Sequence, residues 1–163
     1  MNKFDLTEKL KEELKKRNLW EQEEDDDNDN EQENDSEEST GHNEDFCEMV
    51  CQLLHSQTQV HIFHLGTKSY AEHKALQGYY EGIDALVDGI IESFQGKYGL
   101  LTNYKSYKNQ SYKNKNQVMK YLTGLLNTIE EKRDCCEDSY IQNQIDTVQE
   151  LIYSTMYKLK FLN

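Results

Sequence analysis

Residues 70 to 96, YAEHKALQGYYEGIDALVDGIIESFQG, constrain this chain more than any other stretch, because they read as one helix with three different faces. At about 100° per residue, Leu76, Tyr79, Ile83, Leu86, Val87, Ile90 and Phe94 share one apolar arc that needs a core to cover it. Ala71, Ala75, Gly78, Gly82, Ala85 and Gly89 recur at alternating spacings of four and three. A glycine inside a helix costs about 1 kcal/mol relative to alanine, and close approach of a second helix is the usual offset. The third face carries His73, Gln77, Glu81, Asp84, Asp88 and Glu92, a row of oxygen donors with an imidazole at its start.

The rest of the chain agrees with a helical reading. There is no proline, valine and threonine are sparse, and apolar residues recur at three and four, so the sequence predicts an all-α protein. The net charge of −13 is local. Residues 21–45 hold 14 Asp or Glu and no Lys or Arg, and the remainder, with 18 basic residues against 17 acids, sums to +1. Such a block repels itself and lacks apolar side chains to bury, so it reads as a disordered acidic linker. It separates residues 1–20, a short amphipathic helix with Phe4, Leu6, Leu10 and Leu14 set among lysines, from one domain over 46–163. The N-terminal helix, near the ~12–15 residue limit for stability in water, is open to two readings: a frayed basic tail, or an arm touching nucleic acid or a partner.

Apolar runs are too short to span a bilayer, and MNKFDLTEKLKEELKKRNLW has no apolar core of the signal-peptide kind. The expectation is therefore a cytoplasmic protein, neither secreted nor membrane-bound. The cysteines, Cys47 with Cys51 and Cys135 with Cys136, are then expected as reduced thiols, and neither pair has the two-residue gap of a zinc knuckle.

Within 46–163 the sequence predicts four helices in a bundle. The first runs from Asp45 to Leu65 with Phe46, Val50, Leu53, Gln57, Val60 and His64 along one stripe, and Gly66 stops it. A short link leads to the second, Tyr70–Gly96. The third spans about Asn116–Arg133 on a seam of Val118, Leu122, Leu125 and Ile129. The fourth spans Asp138–Leu162 on Ile141, Ile145, Val148, Ile152, Thr155, Leu159 and Leu162. Between helices two and three lies a basic connection without an acid from Glu92 to Glu130, where Lys105, Lys108, Lys113 and Lys115 alternate with tyrosines. Lysines interleaved with aromatics can hold phosphates and stack bases; equally, the tyrosines can pack on the bundle.

Histidine and carboxylate on helices suit iron, manganese or zinc. His61 and His64 sit one turn apart near the end of the first helix and His73 opens the second, so the three can gather at one end. Asp88 and Glu92 lie roughly 22–29 Å further along at 1.5 Å per residue, beyond reach of those imidazoles in one chain. A site using both must be built between two chains whose central helices run antiparallel, with the small-residue stripe letting them approach. Otherwise the acids are a solvated face and His64 a buried, hydrogen-bonded histidine.

The run FHLGTKSYAEHKALQGYYEGIDALVDGIIE resembles the core of the Dps mini-ferritins of the ferritin-like superfamily. Phe63-His64 matches the aromatic-histidine that ends their first helix, His73 the histidine that starts the second, and Asp88 with Glu92 the Asp-x-x-x-Glu pair fifteen positions on. The ending VQELIYSTMYKLKFL is similar to the family's last helix, and small ferritin-like proteins of tailed phages are similar too. Gln77 stands where the family has a carboxylate, Leu65 where it has tryptophan, and the loop between the histidines is shorter. The resemblance implies a ferritin-like four-helix bundle and a homo-oligomer joined through helix 70–96. It implies binding, oxidation and storage of iron, with other divalent metals open, by His64 and His73 of one chain and Asp88 and Glu92 of its neighbour. Gln77 would be a weak ligand, His61 and Asp84 auxiliary, and DNA a further contact. The alternative is an interaction or virion-associated protein that keeps the bundle without ferroxidase chemistry.

Overall fold

The computed structural model describes residues 35–162, with side chains from residue 43 onward. Among them α1 spans Asp35–Gly66, α2 Tyr70–Tyr98, α3 Lys115–Lys132 and α4 Ser139–Phe161, with a 3-10 turn at Arg133–Cys135. The described chain is all-α, and none of its helices is long and apolar enough to cross a membrane. The expected N-terminal helix and the acidic residues before Asp35 lie outside the described residues. α1 begins ten residues ahead of the expected Asp45. The Asp45 boundary rested on the first apolar side chain, Phe46, and apolar periodicity marks where a helix is buried rather than where it begins.

Capping explains where the other helices start. Ser69 precedes α2, its hydroxyl accepts the Glu72 N–H, and Glu72 sits three residues on, the serine-to-glutamate spacing of a capping box. Asn114 caps α3 by accepting from the Gln117 N–H at 3.0 Å. At the far end of α2, Gly99 takes φ 90°, a left-handed conformation that ends the helix without the strain a Cβ would bring.

The link Thr67–Ser69 forces α1 and α2 to run antiparallel. Phe46 stacks on Phe94 at one end, ring centroids 3.6 Å apart, and His64 stacks on His73 at the other. α1 also packs on α3, and α4 closes the ring by packing on α2 and α3. The expected seams of α3 and α4 are buried, apart from Leu162, half exposed where α4 has ended. α1 buries more than one stripe: Met49, Ser56, Gln59 and Phe63 are buried beside the expected residues, and Gln57 is only half-buried. A helix wedged between two neighbours needs two inward faces, and at about 1.5–3 kcal/mol per buried Met or Phe the second face matters as much as the first.

The small-residue stripe of α2 faces α4 of the same chain. A Cβ built on Gly82 would touch Leu151 at 3.4 Å, and on Gly78 and Gly89 it would come within 4.0 Å of Lys158 and Gln144. The expectation that this stripe admits a second chain is corrected to this extent: Gly82 and Gly89 are turned to α4, while Gly78 and Ala85 stay exposed. The spacing could show that a helix comes close, not whose helix it is.

Because α2 ends beside the start of α1, and α3 must begin at the other end, residues 99–114 traverse the length of the bundle along α1. Gln59, fully buried, binds this strap as a peptide group would: its Nε2 donates to the Gln110 carbonyl at 2.8 Å and its Oε1 accepts the Gln110 N–H at 2.7 Å. Tyr112 then seats against Gly66, where a Cβ would lie 2.4 Å from the tyrosine Cβ. That contact leaves no room for any other residue. Gly66→Ala should cost about 1–3 kcal/mol by overpacking. Gly124→Ala, in the middle of α3 with nothing within 4 Å of the new Cβ, should gain about 0.5–1 kcal/mol; chemical denaturation of both variants checks the opposite signs.

Candidate functional site

Three histidines gather where α1 meets α2, as their positions in sequence required. His64 is buried and His73 half-buried, and each ties itself to the other's backbone: His64 Nδ1 donates to the His73 carbonyl at 2.9 Å, and His73 Nδ1 to the His64 carbonyl at 3.2 Å. The rings lie 3.6 Å apart at 25°. Since a carbonyl can only accept, both Nδ1 atoms carry hydrogen, which leaves Nε2 as the lone-pair nitrogen of each neutral ring. Imidazoles that bind metals are commonly fixed in this way, one nitrogen donating to a carbonyl and the other left for the ion.

His61 is exposed and stacks on Tyr80 at 4.2 Å, and Tyr80 meets His64 edge-on at 5.1 Å. Tyr80 was not among the residues expected from sequence. Its position seven residues after His73, two turns along the same helix, is the signal that could have found it. Glu72 is a second such residue: its Oε2 accepts from Thr67 Oγ1 and Tyr112 Oη, each at 2.7 Å, which pins the α1–α2 link to the end of the strap.

The other expected ligands are elsewhere. Asp84, Asp88 and Glu92 are exposed along α2. Gln77 is engaged on the helix surface, accepting from Lys74 Nζ at 2.6 Å and donating to Glu81 at 2.7 Å. Among the described residues no group of three or more His, Cys, Asp or Glu could hold a metal within the single chain. The structure thus brings together His61, His64 and His73, and it does not bring the carboxylates to them.

On the strap, Lys105 donates its N–H to Cys51 Sγ, Lys105, Lys108 and Lys113 are exposed, and Lys115 is half-buried at the start of α3. Tyr107, Tyr112 and Tyr121 pack on the core. His55 holds this packing together, meeting Asn109 Oδ1 at 2.9 Å and Tyr121 Oη at 3.3 Å. These rings are committed to the bundle and are not presented for base stacking.

None of the four cysteines forms a disulfide. Cys47 and Cys51 lie 3.9 Å apart on α1, and burial, reinforced by Cys51, pushes the Cys47 thiol up to about 11. Burial likewise pushes Cys135 up to about 12. The thiolate is the reactive form, so at pH 8 both should alkylate with iodoacetamide at least about 100-fold more slowly in the native protein than in urea. Mass mapping of the labelled cysteines checks this.

No curated protein and no solved structure matches the chain. A family model matches residues 64–159, which starts at His64 and takes in all of α2, α3 and most of α4. The chain therefore belongs to a family of unknown function (DUF5856).

Proposed function

We propose that this chain is a Dps-like mini-ferritin with a ferritin-like bundle, a homo-oligomer whose metal sites are completed between two subunits. The observation that carries the reading is the reciprocal pair of Nδ1-to-carbonyl bonds, which orients His64 and His73 with Nε2 uncommitted. Two imidazoles need carboxylates to hold an iron ion, and among the described residues one chain does not gather them into such a group. A second copy of α2, antiparallel about a point near Gly82, would set residue 92 opposite 73 and residue 88 opposite 77. The face it would meet is exposed: Gly78, Glu81, Ala85, Asp88 and Glu92, at spacings of three and four.

The donor set fits the ion. Imidazole with carboxylate suits ferrous iron, and manganese or zinc almost as well. His64 and His73 would hold it from one side and Asp88 and Glu92 of the neighbour from the other, with His61 and Asp84 outside this set. Bound iron would supply one-electron chemistry toward dioxygen or peroxide, and the oxidised iron is the cargo. The protein's own part is to fix both imidazole tautomers and to leave the acids exposed on α2 for the neighbouring subunit.

One observation favours the alternative, an interaction protein that keeps the bundle alone. Gln77 is neutral and already bonded to Lys74 and Glu81, so a position that would lie inside the site offers no charge.

The test is anaerobic ferrous titration followed by air, on wild type, His73→Ala and Asp88→Ala/Glu92→Ala. Both changes lie on half-buried or exposed side chains, so folding should survive and circular dichroism verifies it. Binding and oxidation should fall at least about tenfold in each variant. Co-refolding the two variants should restore part of the activity, because some interfaces then pair an intact half-site from each. Equal behaviour of all three proteins, or no recovery on mixing, supports the interaction reading instead.

A further inference from the structure

The bundle holds a second site candidate, in the crevice between α1, α3 and the strap. A groove of about 790 Å³ opens there, floored by Leu125, Tyr121 and Gly124 and rimmed by Gln52, Gln117, Lys113 and Lys120. That volume lies in the range of small-molecule sites, ~300–1,000 Å³. A smaller cavity of about 180 Å³ adjoins it through Gln52, Gln110, Tyr121 and Leu125, and it adds His55, Lys108 and Tyr107.

Two features say what the groove would take. The first is charge: none of the residues lining either cavity is acidic, and Lys108, Lys113 and Lys120 form no ion pair among the described residues. In a chain of net charge −13 this is a locally cationic face. Lys113 lies two residues ahead of α3 and Lys120 in its second turn. The second is Gly124. It sits mid-helix, where glycine costs about 1 kcal/mol relative to alanine, yet none of the described residues comes within 4 Å of its Cβ position. Gly82 is offset by Leu151 of α4; Gly124 has no such neighbour, and its bare backbone lets something outside the chain lie flat against the helix.

We propose that this groove binds a small phosphate-bearing molecule of the nucleoside-phosphate class. Its phosphate is held by Lys113 and Lys120, and its planar ring rests on the Gly124 backbone and Leu125. The rim amides of Gln52 and Asn116 offer both donors and acceptors to the ring edge. This site shares no residue with the histidine pair and stands or falls separately from it.

Calorimetric titration of the full chain with ATP, AMP, adenosine and inorganic phosphate at low ionic strength tests it. ATP or AMP should bind saturably, with adenosine and phosphate each at least about tenfold weaker. Lys113→Ala/Lys120→Ala, which alters only exposed side chains, should weaken nucleotide binding at least about tenfold. Gly124→Leu should abolish it by filling the floor, while Gly124→Ala keeps the fold and most of the groove. The proposal is overturned if phosphate alone binds as well as nucleotide, if Gly124→Leu leaves binding intact, or if single-stranded oligonucleotide binds where no mononucleotide does.

Discussion

Three residues, Thr67–Ser69, join a helix of 32 residues to one of 29, and so short a link obliges the chain to run straight back along itself. From that constraint the rest of the topology follows. α2 must finish beside the beginning of α1, at the Phe46–Phe94 stack. The link itself brings the last turn of α1 against the first turn of α2, which is why His64 and His73, nine residues apart, can stack and exchange hydrogen bonds with each other's carbonyls. The cap does double duty here. Ser69 starts α2, and Glu72, three residues on, gathers Thr67 and Tyr112 so that the link cannot swing.

The same constraint sets a polar problem in the core. The strap that returns the chain to the far end has no helix of its own, so its backbone groups need partners from side chains. Gln59 meets the need at Gln110, and Ser56, also fully buried, bonds the Tyr79 hydroxyl at 2.7 Å and the Leu53 carbonyl at 2.6 Å. A buried polar group left unpaired costs about 1–3 kcal/mol, so Gln59 selects the strap's path as firmly as the apolar seams select the helix faces, and Ser56 ties α1 to α2 in the same way.

How much of this could be read from residues alone depends on how many neighbours an element has. α3 and α4 each turn one main face inward, and their seams, Val118 to Ile129 and Ile141 to Leu159, were legible from spacing. α1 has two inward faces, and the second includes Ser56 and Gln59, polar residues that no apolar pattern selects. Periodicity marks α2's small stripe, but whether α4 or a second subunit fills it is a tertiary fact, settled for Gly82 by Leu151. Of the site, the meeting of the histidines was legible, because a hairpin of helices brings those positions together. The choice of Nδ1 as donor was not, since it depends on carbonyl directions that only the folded hairpin defines. Nor was the capture of Gln77 by Lys74 and Glu81, which the helical spacing of three and four permits without requiring.

The glycines show how one residue type carries opposite messages. Gly66 is needed because Tyr112 occupies the space its side chain would take, so its role is complete within the chain. Gly82 is held at ordinary contact distance from Leu151, and that packing offsets its conformational cost. Gly124 has neither excuse: α3 is weakened at its middle, and the space above it, walled by amides and lysines, holds none of the described residues. A helix that needed only stability would carry alanine there. What distinguishes the three is what each one's missing Cβ would have met, and by that measure the groove on α3, more than the tighter contacts of α2, is where the fold leaves room for something it does not itself supply.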